Sequence, residues 1–386
     1  MKKELLDPAS RISGVEEYYF SAKLKEIREM NKSGAPVINL GIGSPDLPPS
    51  PETIEVLQSE ASKPYVHGYQ AYNGIPELRK AFADWYRQFY HVELDSDREI
   101  QPLVGSKEGL MHIAMAFLNP GDVALVPDPG YPAYSAVTRL AGARVLNYPL
   151  LPENDWLPDL DFIELNGVHN AKIMWVNYPH MPTGKRATFK LYEDLVHFAK
   201  IHRILLVNDN PYSFILNDEP LSILSVPGAI DTTLELNSLS KSHNMAGWRI
   251  GMVAGRPEYL NYLIRFKSQM DSGMFYPMQK AAAKALEAGP DWYEQVNVVY
   301  RKRKLVVHQL LDNLGCTYST DQSGLFVWAR IPESETSGRE LSERLLREKR
   351  VFITPGFIFG FQGENYIRIS LCQPAEVITE AINRLS

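Results

Sequence analysis

The chain has 386 residues, 45% of them hydrophobic and 22% charged, a globular composition with length enough for two domains and a large core. A net charge of -6 provides no basic field for phosphate backbones or anionic lipid, so neither nucleic acid nor a membrane is the expected partner. The two cysteines, Cys316 and Cys372, fall outside any ligand spacing, which argues against a disulfide framework and structural zinc; no metal is expected.

Both cysteines read as free thiols of a cytoplasmic protein. The opening MKKELLDPAS carries Glu4 and Asp7 with no leader-like apolar stretch behind it, and no apolar run approaches the roughly 20 residues of a spanning helix. The first motif is Leu40-Gly41-Ile42-Gly43-Ser44-Pro45-Asp46. Asp46 stands at the third glycine position of a dinucleotide fingerprint, and no strand and helix enclose the loop, so a nicotinamide cofactor is not indicated. Tyr69 and Tyr72 follow, just before Gly74-Ile75-Pro76-Glu77-Leu78.

From about residue 100, short apolar runs alternate with amphipathic stretches, the pattern of βα units around a mostly parallel sheet. Gly105-Ser106-Lys107-Glu108-Gly109 lies between a strand-like segment and a helix expected over 106–118, whose free amides can face an anion; ordinary capping is the alternative. A strand over 123–127 delivers Pro127-Asp128-Pro129-Gly130-Tyr131-Pro132, a rigid turn presenting Tyr131 where open α/β sheets bind ligands, or simply packing it. A strand over 172–176 leads to Tyr178-Pro179-His180-Met181-Pro182-Thr183-Gly184, and a helix over 190–201 has Leu191, Leu195 and Phe198 on its core face.

The next strand, 204–208, opens onto Asn208-Asp209-Asn210-Pro211-Tyr212. Asp209 suits a buried carboxylate opposite a protonated ring nitrogen, with a turn aspartate as the bland alternative. A strand over 234–238 runs into Ser238-Leu239-Ser240-Lys241-Ser242-His243-Asn244-Met245-Ala246-Gly247-Trp248-Arg249-Ile250-Gly251. A lysine among small hydroxyl residues at the end of a buried strand can lose its proton to desolvation and attack a carbonyl, and Arg249 suits a forked phosphate contact. After a strand over 250–254, Gly289-Pro290 opens a helix over 291–314, then a strand within 324–330 and an alternating strand within 365–370 that contains Arg368.

The lysine string closely resembles the signature of the class I/II aminotransferases, the fold-type I pyridoxal phosphate-dependent enzymes, and the other motifs follow in the family's order from the Gly43 loop to Arg368. The resemblance implies an α/β fold with a mostly parallel central sheet sandwiched by helices and a smaller α+β domain, residues 46–285 forming the large domain and 1–45 plus 286–386 the small one. It implies pyridoxal 5'-phosphate held as a Schiff base on Lys241, with Ser106, Lys107, Ser238 and Arg249 on its phosphate. Asp209 then meets the ring nitrogen, Tyr131 stacks on the ring and Tyr212 reaches its phenolic oxygen. Gly43 and Arg368 take the substrate carboxylate. Tyr69, with Tyr72 as its rival, reaches the phosphate of a neighbouring subunit in a homodimer with shared sites.

The expected reaction moves an amino group from an L-amino acid to a 2-oxo acid by a ping-pong route, the freed Lys241 amine serving as general base. The Met-Ala-Gly-Trp-Arg-Ile-Gly run looks most like members acting on alanine or diaminopimelate-pathway amines. Met181 departs from the pattern: it stands where the family's Asn-Pro-Thr-Gly has an asparagine that donates to the phenolic oxygen, and methionine cannot donate. Tyr212 alone, His180 or a water could fill that role, the imine pKa could be raised, or Met181 could simply pack. A C-S β-lyase or cyclopropane-forming synthase shares the cofactor residues, and a non-catalytic sensor would need a fused domain for which the motifs starting near residue 40 leave no room.

Overall fold

Runs such as Leu205-Leu206-Val207 are apolar on both faces, as strands covered by helices on both sides must be. In chain order the strands are β1 (Ile38–Asn39), β2 (Ile100–Leu103), β3 (Val123–Asp128), β4 (Arg144–Pro149), β5 (Ala171–Val176), β6 (Leu205–Asp209), β7 (Thr233–Ser238), β8 (Gly251–Ala254), β9 (Thr317–Tyr318), β10 (Phe326–Arg330), β11 (Val351–Phe352), β12 (Thr354–Pro355) and β13 (Tyr366–Ser370). This structure, a computed structural model, describes residues 6–15, 17, 19–32, 34 and 36–385; the charged opening from Met1 to Leu5 lies outside them.

Seven strands form the main sheet in the order β2-β8-β7-β6-β5-β3-β4. From β4 to β7 the neighbours are parallel, while β8 runs antiparallel to β7 and β2, so the expected mostly parallel sheet is found with one reversed strand. Alternate side chains feed two apolar layers. On one side Val126, Trp175, Val207 and Leu236 pack with Leu110, Ile113 and Tyr134, the inward residues of helices Ser106–Phe117 and Pro132–Leu140. On the other, Leu125, Met174 and Leu206 pack with Phe82, Trp85, Leu191 and Leu195 from helices Pro76–Tyr90 and Phe189–His202.

A second, antiparallel sheet, β12-β13-β10-β9, shares a core with helices Pro290–Asn313 and Ala375–Leu385 through Val307, Leu311, Val327, Ile369 and Ile378. The early chain joins this part, since β1 pairs in parallel with β11. Arg303 from the long helix grips Asp46 through both carboxylate oxygens (2.6 and 2.7 Å) and also donates to the Leu371 carbonyl at 3.0 Å. That fork fixes the end of the Gly43 loop against the C-terminal strand.

The main sheet buries a carboxylate deep inside it, at Glu235. Glu235 on β7 is fully buried and accepts from Tyr86 (2.9 Å), Ser222 (2.6 Å), Asn208 (2.8 Å) and the Ile223 amide (3.0 Å). Burial raises its pKa, and these donors oppose the rise. Asn208 adjoins Asp209 in sequence, so this satisfied network steadies the end of β6. No helix among the described residues is long and apolar enough to cross a membrane.

Candidate active site

The carboxyl ends of β3, β5, β6 and β7 open onto one cavity of about 620 Å³, at the edge of the sheet where α/β proteins bind ligands. Gly43, Ser106, Lys107, Tyr131, Asp209, Tyr212, Ser238, Lys241, Arg249 and Arg368 all line it. Tyr69 does not. It is 93% exposed and sits with His67, Gly68, Gln70 and the 270–275 segment around a separate surface hollow.

One end of the cavity is built for an anion. Gly105 precedes the helix Ser106–Phe117 with φ +82°, the left-handed region that glycine enters without strain. A Cβ there would come 2.1 Å from Arg249 Nη2, so the missing side chain also lets the guanidinium settle over the helix start. The first-turn amides have no acceptors within the helix. Ser238, ending β7, accepts from the Ser240 amide (3.2 Å) and donates to Ser240 Oγ (2.9 Å). Arg249 is itself held at φ +57° and donates to the Ala246 carbonyl at 2.9 Å. Lys107, at the rim, is pushed below the ordinary lysine pKa by partial burial and then by the Arg249 charge.

Lys241 lies in the short helix that follows β7 and lines the cavity. Removal from bulk water brings its amine from the ordinary 10.5 down to about 8; Arg368 and Arg249 push the same way, and Cys372 opposes them. Its Nζ donates to the Gly43 carbonyl. Across the cavity, Asp209 ends β6 and is 5% exposed. Its Oδ2 accepts from the Tyr134 hydroxyl at 3.1 Å, while its Oδ1 is buried with no hydrogen-bond partner. Burial, opposed by Tyr134, raises its pKa from the ordinary 3.8 to about 7. A buried acceptor with nothing to accept is costly unless a donor arrives.

Arg368, on β13 and 4% exposed, donates to the Gly41 carbonyl (2.9 Å) and to Met181 Sδ (3.1 Å). Its guanidinium lies 3.7 Å from the Phe326 ring centre and 4.6 Å from that of Phe359. An alternating strand usually places such an arginine in solvent; the second sheet instead turns it inward. Gly43 is required beside it, because a Cβ would meet Phe326 Cζ at 2.1 Å.

Sequence reasoning missed several lining residues: Tyr134, Asn177, Ser240, Phe20, Phe326 and Phe359. Tyr134 could have been found, since it lies one turn beyond Tyr131 on the helix that starts at Pro132. Met181 reaches the cavity and contacts Arg368, whereas His180 is buried, bonds Thr183 Oγ1 at 2.8 Å and does not line the cavity. His180 is therefore no substitute for the missing asparagine. Asn177 accepts from the Met181 amide at 2.8 Å and donates to the Asp209 carbonyl, linking the two loops. Elsewhere, Glu108, His112 and Asp271 bring potential ligand atoms within 4.8 Å of one another. Lys267 already donates to both Asp271 oxygens (2.7 and 2.6 Å), so an ammonium compensates that charge.

Residues 35–385 match the family model for aminotransferase class I and II. The chain belongs to this family. An LL-diaminopimelate aminotransferase of Dehalococcoides mccartyi is 41% identical over 380 residues, covering 98% of each chain. Among solved structures, substrate-bound BacF from Bacillus subtilis has a TM-score of 0.94 at 35% identity over 99% of this chain and 97% of that one. An aspartate aminotransferase mutant from Thermus thermophilus has a TM-score of 0.91 at 26% identity, covering 98% and 99%.

This aminotransferase is pyridoxal phosphate-dependent and moves amino groups between amino and 2-oxo acids. The β-lyase and cyclopropane-synthase readings are not favoured by these likenesses. The cavity fits the cofactor on chemical grounds: an unpartnered buried carboxylate oxygen suits a protonated ring nitrogen, and the amides beside Arg249, Ser238 and Ser240 suit a phosphate.

Proposed function

We propose that Lys241 is the catalytic lysine of this aminotransferase, holding the cofactor covalently and moving the proton at the donor's Cα. Asp209 would keep the ring nitrogen protonated and Tyr134 would steady Asp209. Tyr131 would cover the ring and Tyr212 would bond its phenolic oxygen. Ser106, Lys107, Ser238 and Arg249 would hold the phosphate, while Gly43 and Arg368 would bind the substrate α-carboxylate. The observation that carries this assignment is the lone Asp209 Oδ1 lining the same cavity as an amine lowered to about 8.

When bound, pyridoxal phosphate supplies an electron sink for the pair left at Cα. The chain's own work is positional and acid-base. Arg368 orients the carboxylate by a charged fork, and the Lys241 amine, neutral at mildly alkaline pH, accepts the Cα proton and returns it. The aromatic walls keep water from the reacting atoms. Borohydride reduction of the holoenzyme followed by peptide mass analysis tests the assignment. The cofactor mass is expected on the Lys241 peptide; finding it on Lys107 would overturn it.

Two variants probe the carboxylate end. Gly43→Ala should raise the donor KM by roughly tenfold, in keeping with the cost of overpacking against Phe326, with a smaller change in kcat. Arg368→Gln should raise KM by roughly 10²-fold through loss of a buried charged hydrogen bond. Equal KM values in wild type and either variant would remove that residue from carboxylate binding.

The proposal extends to a cytoplasmic homodimer in amino acid metabolism, with residues 46–285 carrying the cofactor and 1–45 plus 286–386 forming the smaller domain. Two buried free cysteines are in keeping with a reducing compartment. Tyr69, exposed and outside its own chain's cavity, is suited to reach the phosphate of a partner's site. Sedimentation of a fully active monomer would remove that part of the proposal.

A further inference from the structure

Arg368 is carried by the second sheet, on β13, yet one of the rings beside its guanidinium is held from the main sheet. That ring is Phe359, buried and 4.6 Å from the guanidinium carbon. Phe359 ends the short helical turn Gly356–Phe359, and a second turn, Phe361–Gly363, follows it through Gly360. The joint between the two turns meets the carboxyl end of β3.

Asp128, the last residue of β3, reaches this joint with its side chain. It is 7% exposed; its Oδ2 accepts from the Phe361 amide at 3.2 Å and its Oδ1 from the Gln362 amide at 3.0 Å. A Cβ on Gly360 would come 2.1 Å from Oδ1, so the missing side chain lets the carboxylate close on the two amides. Burial raises the Asp128 pKa, and the Gln362 and Phe361 amides and Asn147 oppose the rise. Two residues further on, the Gly130 amide donates to the Phe359 carbonyl at 2.8 Å. The segment that presents Tyr131 to the cavity therefore also grips residues 359, 361 and 362, which lie more than 220 positions away in sequence. Hydrogen bonds to an ionised carboxylate are about twice as strong as neutral ones, so this grip is a firm one.

We propose that Asp128 is a positioning residue for carboxylate binding: by holding the 359–362 turn on the end of β3 it keeps the Phe359 ring against the Arg368 guanidinium and fixes the direction in which that fork meets the substrate. Asp128 itself does not line the cavity. A guanidinium binds a carboxylate well only when its plane is correctly turned, and an aromatic face against it restrains that turn. The inference rests on the reading of Arg368 as the carboxylate fork and adds a residue that acts through another.

The test uses the holoenzyme and two probes: the donor KM, with whichever of L-alanine, L-glutamate and L-leucine turns over fastest, and the dissociation constant of butyrate, a carboxylate without an amino group, by titration calorimetry. Asp128→Ala should raise both constants by about tenfold, the weight of one charged hydrogen bond, and leave kcat within about threefold of wild type, since binding rather than chemistry is affected. Asp128→Asn keeps the shape and one acceptor oxygen and should raise both by about threefold, so the proposal is still decided if the alanine variant loses its fold. In a Phe359→Leu background, Asp128→Ala should add less than about threefold; a full further tenfold rise would show that it does not act through Phe359 and would overturn the proposal. Wild-type constants in both Asp128 variants, with Arg368→Gln raising them, overturn it and leave the carboxylate reading intact. If Arg368→Gln changes neither constant, the carboxylate reading fails and the proposal falls with it.

Discussion

Lys241→Ala should lower kcat by roughly 10⁴-fold, the upper end of what a positioned general base supplies. The remaining lysine among the described lining residues, Lys107, stands at the anion end under the influence of Arg249 and is not placed to take over. The variant should also lose exchange of the donor's Cα proton with solvent deuterium, which NMR follows without requiring full turnover. Methylamine, small enough for the vacated space, should restore part of that exchange, with the rescue rising with pH as the amine loses its proton. Exchange within tenfold of wild type would mean that another group moves the proton. In the wild-type apoprotein, a small amine-directed reagent should label Lys241 with a midpoint near pH 8 rather than the ordinary 10.5. A midpoint near 10.5 would show that burial does not act on this amine as described.

How much of this was legible in sequence depended on how local the cause was. The central strands read well because long apolar runs such as Ile173-Met174-Trp175-Val176 have no other economical place to go, and their ends agree with expectation to within a residue or two. The edge strands read poorly. β2 contains Pro102, and β4 carries exposed Arg144 and Asn147; each has one neighbour in the sheet, where proline and polar residues are tolerated. Lys241 and Asp209 were legible because their motifs occupy consecutive residues at strand ends.

The aromatic wall of the cavity was not legible. Phe20, Phe326 and Phe359 are ordinary aromatics in separate segments, and only the pairing of β1 with β11 and the second sheet assemble them. Arg303 was missed for the same reason: its partner Asp46 is 257 positions away. Met181 shows the opposite limit. Its departure from the family motif was visible, but its contact with Arg368 depends on a strand that arrives much later in the chain. That contact links the 177–184 loop to Arg368, so Met181→Asn changes two regions of the cavity at once.

Asp209→Asn should reduce kcat by roughly 10³-fold, comparable with removing one preorganised electrostatic partner, and yet make the apoprotein more stable. With the Tyr134 hydroxyl on one side of residue 209, an amide that keeps its oxygen toward that hydroxyl turns its NH₂ toward the ring position, where a donor would meet a donor. The stability effect has a definite sign. Unfolded Asp209 ionises near the ordinary 3.8 and the folded carboxyl near 7, so between those values the folded state binds more protons and stability falls as pH rises. Below about pH 4 the two states match, and above 7 the penalty is complete at about 4 kcal/mol. The asparagine variant lacks this slope. Urea denaturation of the two apoproteins from pH 5 to 9 should therefore show curves that diverge up to about pH 7 and then run parallel, with the variant higher. A constant separation across that range would mean that the unpartnered Oδ1 is not the buried charge described, and Asp209 would lose its claim to the ring nitrogen.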